Sequence, residues 1–522
     1  MSSMYIILTS IIAAAGLCRI FYWLIYPGGH RPVTKASLKH IPELRFQDDN
    51  SKNRYLNDTR TLLLLGYDKY LKHGTAFQMH NPVGELGPQV MLPMKYLDEV
   101  KNAPLSLFSF QAFSEKMFFL NYIDAPYQTE AATHVIKIDL NRNLNNLVHG
   151  TWKEAIAVLD ENIPANAEWT SFDTYDLISK VASQVSAFAL VGPELCRNKE
   201  WLKLAIETTF TIFGAANAVR DNYSPRLRWL ARFWNEAPKQ LRNGRAKAAE
   251  LLKPIYADRL NAVKAKKSGG DGDSSPSKFA DTVYWLLGNK EADRTLAGIA
   301  EQELFLTTAS VHTTSGTLQS VLFDWLAHPE YHAEVIAEAR QVMAEPGATA
   351  DGEYHWSMQL VAKLWKLDSF MKESSRMHPI GFITGQRYAL KPHTFKDGLH
   401  IPAGTIFQFP ADAVHHDPDI YPEPHKFDGH RFLRLRETVD PNRFHFASVS
   451  DSSLNFGAGA HSCPGRFLAT LNVKLVMLLL ITRYEVKFED DNITQRPDDT
   501  FHDFNRRSDP SIRILARRKQ LK

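Results

Sequence analysis

Apolar residues recur at helical spacing over three long stretches of the C-terminal half, 296–327, 357–377 and 465–483. Short extended runs separate them: Arg387–Leu390 with Phe395, and Ile401–Phe409, the latter interrupted by Pro402-Ala-Gly404. No regular strand–helix alternation is present, so the order predicts a mostly α-helical fold with small β-sheets. Lys266–Ser277 is rich in Gly, Ser, Asp and Pro. Helical patterns flank it on both sides, so it reads as a surface loop within one domain.

The N-terminus carries a different pattern. Met4–Tyr26 is apolar apart from Arg19, and as a helix it would span roughly 34 Å at about 1.5 Å per residue. Arg19 lies one turn before the aromatic cluster Phe21, Tyr22, Trp23 and Tyr26, where its stem can snorkel to lipid headgroups. No Lys or Arg precedes the segment, whereas Arg31, Lys35 and Lys39 follow it, so the positive-inside rule places the body of the protein in the cytosol. Ala13-Ala14-Ala15 resembles a signal-peptidase site, but the basic start of a signal peptide is missing. The expected organisation is an N-terminal transmembrane helix (1–26), a Pro/Gly and basic hinge (27–40) opened by Pro27-Gly-Gly, and one domain over 41–522.

Composition narrows the function classes. The formal charge of +3 in 522 residues is spread along the chain and marks no nucleic-acid surface. Three cysteines, Cys18, Cys196 and Cys463, cannot build a disulfide framework, which suits a reducing compartment. His328-Pro-Glu-Tyr-His332 has metal-like spacing, but Pro329 makes it a turn. The sequons at Asn57 and Asn492 would go unused in a cytosolic domain.

Chemistry concentrates in Phe456-Gly-Ala-Gly-Ala-His461-Ser-Cys463-Pro-Gly465. Gly457 and Gly459 can adopt positive φ, and Gly465 leaves room for backbone N–H groups to point at the Cys463 sulfur. A thiolate held this way suits an axial ligand of haem iron, and His461 is placed to reach a haem propionate. A buried free cysteine beside a glycine turn is the rival reading. A dinucleotide fingerprint is excluded, because the third glycine and the preceding strand are missing.

The segment Phe456–Ala469 resembles the haem-binding signature of the cytochrome P-450 superfamily. Lys-Glu373-Ser-Ser-Arg376-Met-His-Pro379 resembles the family's K-helix motif, and Arg431 of Phe427-Asp-Gly-His-Arg-Phe432 matches its second arginine, with Gly429 where a proline is usual. By that resemblance Glu373, Arg376 and Arg431 form a buried structural cluster. Ala309-Ser310-Val-His312-Thr313 resembles the oxygen-binding stretch of the distal helix. Ala309 and Ser310 would open a groove, and Thr313 would manage proton delivery. His312 replaces the usual acid, and two roles stand open for it: proton shuttle, or satisfaction of a helix-interior hydrogen bond. Arg387 matches a propionate-binding strand position, and Lys137 with His134 the basic position of the C helix. Arg466 falls on the side expected to meet a redox partner. The His-Thr-Thr variant and His461–Ala469 resemble enzymes of filamentous-fungal secondary metabolism.

The resemblance implies the P-450 fold behind a transmembrane helix, haem b as cofactor and O2 as co-substrate. It also implies a separate NADPH–cytochrome P-450 reductase of the endoplasmic reticulum, with cytochrome b5 as a further candidate donor. The expected reaction inserts one oxygen atom into a terpenoid, polyketide or alkaloid intermediate. The Phe-rich stretch Phe108, Phe110, Phe113, Phe118, Phe119 falls in the variable substrate loop, and Phe118 and Phe119 are the candidate contacts. Phe210–Trp234 mixes aromatics with arginines, as a bilayer-resting segment does. Two alternatives remain: a haem-thiolate isomerase or dehydratase that needs no external electrons, and a non-catalytic haem carrier.

Overall fold

The computed structural model describes Gly16 and residues 35–79, 87–166, 168–268, 279–345, 349–350 and 353–519. Apart from Gly16, the expected anchor lies outside these residues, as do hinge residues 27–34 and loop residues 269–277. Among the described residues no helix is long and apolar enough to cross a membrane.

Helix Leu296–Ala327 runs through the core, and its position follows from its sequence. Buried residues fall on every side, including Ile299, Gln302, Leu304, Phe323 and Trp325, so each side needs a neighbour. Helices Thr174–Val191, Lys199–Asn222, Glu236–Ser268, Trp365–Met377 and Arg466–Arg483 supply them. Thr295 starts the long helix, its hydroxyl accepting the Gly298 N–H at 3.0 Å.

The predicted helix over 357–377 is two helices, Met358–Ala362 and Trp365–Met377. The reason is tertiary. The Glu338 carboxylate accepts the N–H groups of Lys366 and Leu367 at 2.7 and 3.1 Å, giving a new helix start an anionic cap. The 401–409 run likewise divides, at Pro402-Ala-Gly404, into His400–Ile401 and Ile406–Phe409.

A six-stranded sheet flanks the helical body, in the order Glu43–Leu44, Phe77–Met79, Gln89–Met91, Ile406–Phe409, Thr384–Ala389, Phe108–Ser109. Ile406–Phe409 pairs parallel to Gln89–Met91 and antiparallel to Thr384–Ala389, with a register irregularity between Phe407 and Phe409. A three-stranded antiparallel sheet joins Thr170–Asp173 to two C-terminal strands, and hairpin Asp499–His502/Asn505–Ser508 rests on the long helix. Phe108 is buried in the sheet core against Phe407, with ring centroids 4.8 Å apart. Phe113, Met117 and Phe119 form a separate small core with Ile212, Ala215 and Val219 of the 199–222 helix.

Continuous with the helical segments Glu130–His134 and Asn141–Asn162 is a π-helical turn, Val135–Leu140. Lys137 lies within it.

Candidate active site

Local backbone chemistry shapes the cysteine loop. Gly457 and Gly459 take φ of 75° and 62°, left-handed values that cost a side-chain-bearing residue free energy. At Gly459 a Cβ would also stand 2.7 Å from the Lys101 carbonyl oxygen. The loop closes where the Cys463 N–H donates to the Phe456 carbonyl at 2.8 Å. Gly465 has an ordinary φ of −87°, and a Cβ there would meet only Ile136 at 3.8 Å, so the protein itself does not demand glycine at this position. The N–H groups of Gly465 and Arg466 do point at the sulfur.

Cys463 is exposed, yet protein surrounds it closely enough that burial pushes its thiol pKa up. The two N–H donors and the Arg466 charge act in the opposite direction. Cys196, the other described cysteine, is buried and bonds the Pro193 carbonyl.

Glu373, Arg376 and Arg431 do form a buried cluster. Arg376 grips Glu373 through two 2.8 Å bonds, and Arg431 Nε donates to both oxygens of the same carboxylate at 3.1 Å. Spare guanidinium donors reach the carbonyls of His415, Pro424 and Pro422 at 2.6, 2.8 and 2.7 Å. Gly429, where a stiffening proline is usual, is instead held by the Ser369 hydroxyl at 2.6 Å and walled by Tyr331 and Phe370.

No sequence signal marks His415, which links this cluster to the cysteine loop. Its Nε2 accepts the Leu454 N–H at 3.1 Å, two residues before Phe456. Burial drives its pKa down to about 3. The folded protein therefore binds fewer protons at this site than the unfolded chain between about pH 3 and 6.5. This contribution to stability is complete above about pH 6.5 and is lost progressively as the pH falls toward 3. In His415→Gln, which can still accept the Leu454 N–H, the pH slope of the unfolding free energy from denaturant titrations should flatten by up to about 1.4 kcal/mol per pH unit.

One face of the long helix interrupts its burial. Ala309 and Thr313 are exposed and Thr317 is half-buried, a stripe at i, i+4 and i+8. The Thr313 hydroxyl donates to the Ala309 carbonyl at 2.8 Å, and Thr317 to the Thr313 carbonyl at 2.9 Å. Ser310 is half-buried, its carbonyl 3.3 Å from the Thr313 hydroxyl. A cavity of about 100 Å³ touches Thr317, Thr384 and Phe456, so this face meets the cysteine loop.

His312 lies about 100° around the helix from Thr313. Tyr175 Oη stands 2.5 Å from its Nδ1, and its Nε2 is 3.3 Å from the Ile206 carbonyl. Burial lowers its pKa, so the ring is neutral at pH 7. Both nitrogens are therefore engaged by neighbouring helices.

The residues expected to surround a haem fit one. Arg387 is buried with Nε unpartnered, and its Nη1 donates to the Gln386 carbonyl at 2.7 Å. No carboxylate among the described residues pairs with it, and burial alone pulls its pKa down to about 10. A buried guanidinium in this state calls for an anion, and a propionate supplies one. The charges of Arg387 and Lys137 both act on His461, so the three basic groups converge. His461 Nε2 is spent on the Ala103 carbonyl at 2.9 Å, which leaves Nδ1 as its free ring nitrogen. Lys137 reaches the Ala460 carbonyl at 3.3 Å. His134 is exposed beside Asp139 and is not brought to this cluster.

Phe118 is half-buried against the edge of Phe213 at 5.5 Å. Phe119 is buried at φ 53° under the Arg228 guanidinium. A groove of about 1130 Å³, lined by Lys372, Arg434, Arg443, Phe444 and Arg466, shares no residue with the Thr313 face.

The family model of cytochrome P450 matches residues 108–511. The chain is 54% identical over 508 residues to cytochrome P450 monooxygenase ccsG of Aspergillus clavatus, covering 97% of this chain and 98% of that protein. It is 49% identical over 480 residues to pyrichalasin C-7 hydroxylase of Pyricularia grisea, covering 92% of each. Among solved structures it is similar to the haem domain of cytochrome P450DA, with a TM-score of 0.64 over 92% of this chain and 97% of that one. At 14% identity that likeness concerns the fold alone.

Proposed function

From the premise that this chain belongs to the cytochrome P450 family and is a monooxygenase, we propose that it hydroxylates a carbon of a lipophilic, pyrichalasin-like secondary metabolite. The substrate class rests on the activity named for the 49% identical relative. The haem rests on one observation above all: Cys463 with two N–H donors at its sulfur, in a site whose buried Arg387 lacks an anion.

A haem bound here would supply O2 activation, and Cys463 would hold its iron and lend it electron density. The protein's own residues do the rest. Gly465 and Arg466 N–H groups moderate the basicity of the sulfur. Arg387 and Lys137 would hold the propionate side through charge, and His461 would join them by donating from Nδ1 once that nitrogen is protonated. Thr313 offers a hydroxyl whose own proton is committed to Ala309, so it accepts a hydrogen bond from an incoming water and holds that water in place. Phe118 and Phe213 supply apolar surface that excludes bulk water.

Electrons come from NADPH through a separate cytochrome P-450 reductase. The groove around Arg434, Arg443 and Arg466 suits an acidic partner face, since among the described residues Glu423 and Asp428 are the only acids lining it. Residues 1–26 anchor the protein in the endoplasmic reticulum membrane with the catalytic domain cytosolic. Exposed Phe233 and Trp234, 71% and 72% accessible, support a bilayer-resting segment near residue 230.

Purified protein, reductase, NADPH and pyrichalasin-type precursors under ¹⁸O2 should give a product carrying one labelled oxygen. Product without reductase would favour the isomerase alternative. A haem-bound protein that yields no product with any precursor would favour the carrier. Thr313→Ala should retain the fold and consume NADPH while product per NADPH falls by about ten-fold or more. Hydrogen peroxide should rise correspondingly in a peroxidase-coupled assay.

A further inference from the structure

His312 occupies a junction of four chain elements. It rises from the middle of the long helix Leu296–Ala327, immediately before Thr313. A backbone carbonyl can only accept, so the ring nitrogen facing Ile206 carries the proton. Nδ1 is then an acceptor, and the Tyr175 hydroxyl donates to it at 2.5 Å. Tyr175 belongs to helix Thr174–Val191, and Ile206 to helix Lys199–Asn222. One turn beyond Ile206 the Phe210 ring meets the imidazole edge-on, centroids 4.9 Å apart, and the Tyr175 ring lies nearly parallel to it at 6.3 Å. Arg507, on strand Asn505–Ser508, is close enough for its charge to push His312 further toward the neutral form and to act on Tyr175 as well.

The helix held by this junction also packs on the aromatic loop read from the sequence as the substrate side. Its Phe213 meets Phe118, and its Ile212, Ala215 and Val219 pack on Phe113, Met117 and Phe119. The first half of the 199–222 helix is therefore tied to the long helix beside Thr313, and the second half to the variable aromatic loop.

We propose that His312 is a positioning residue: with Tyr175 it clasps the 199–222 helix onto the long helix and governs how readily the recess beside Thr313 admits a lipophilic ligand. The clasp needs a donor at one ring position and an acceptor at the other, and it needs no change of charge. A neutral amide can reproduce that pattern, whereas it cannot shuttle a proton as imidazole does. The inference rests on the monooxygenase reading for the ligand alone, because the clasp has a readout of its own.

Three variants of the full-length holoprotein, His312→Phe, Tyr175→Phe and His312→Gln, are compared with wild type by two measurements. The first is amide hydrogen exchange across residues 205–213. The second is the rate at which 4-phenylimidazole, a lipophilic azole that ligates haem iron, binds as followed by absorbance. Both phenylalanine variants keep the ring packing; His312→Phe loses both hydrogen bonds, and Tyr175→Phe loses the one to Nδ1 that fixes the nitrogen facing Ile206 as the donor. Each should exchange about five-fold faster in this segment and bind the azole about five-fold faster. His312→Gln should stay near wild type in both. Wild-type behaviour of either phenylalanine variant overturns the proposal, as does a glutamine variant as loose as His312→Phe. Faster exchange without faster azole binding overturns it too, since the helix would then loosen without governing entry. If the wild type gives no azole spectrum, it is the haem reading that fails, and exchange alone decides the clasp.

Discussion

Cys463→Ser should fold normally, lose the thiolate absorption band of the reduced carbon-monoxide complex, and form no NADPH-dependent product. The fold should survive because the bond that closes the loop, Cys463 N–H to Phe456 carbonyl, belongs to the backbone. A serine oxygen can also accept the N–H groups of Gly465 and Arg466 that now point at sulfur. What it cannot do is ionise. The metal ion stabilises a thiolate outright, whereas a serine hydroxyl stays protonated and donates far less electron density. Cys196→Ser is the matched control, since that thiol sits against the Pro193 carbonyl far from the loop in sequence and should leave the spectrum unchanged. A normal band from the Cys463→Ser protein would refute the ligand assignment.

Arg376→Ala should yield little or no folded holoprotein. Glu373 is fully buried, and Arg376 contributes two of the short bonds that neutralise it. Breaking a buried ion pair from one side costs about 3–5 kcal/mol, a large share of the roughly 5–15 kcal/mol that stabilises a folded domain. The substitution also strips donors from the carbonyls of His415 and Pro424. Arg376→Lys should rescue poorly, because an ammonium cannot make the planar bidentate contact and reach both carbonyls. Thermal midpoints and haem content of the recovered protein measure the effect. Wild-type yield and midpoint for Arg376→Ala would show that the cluster is dispensable.

The parts legible in the sequence were those whose causes are local. The long helix is read from 296 to 327 because its apolar pattern and Thr295 cap sit within the segment. Glycines 457 and 459 betray the loop because positive φ is written into the residue type. The break at Lys363–Leu364 was invisible, since the carboxylate that caps the new helix comes from Glu338 on another element. His415 and the unpaired state of Arg387 depend on partners, or their absence, set only by tertiary packing. The two readings of His312 could not be separated for the same reason: its contacts lie 137 and 106 residues away.

The π turn at Val135–Leu140 works as a phase shifter. A π turn holds one residue more than the α turn it replaces, and each added residue rotates the downstream helix by about 100°. Ala131 and Ala132 before it, and Leu144 and Leu147 after it, all reach the core, while Lys137 between them is turned out to the Ala460 carbonyl. A uniform rod could match one of those surfaces in register, but the extra residue lets it match both. Deleting a residue there would regularise the hydrogen bonding and still be punished, for either the lysine or the leucines would lose their address. A lineage can shed that residue only by abandoning one of the two surfaces.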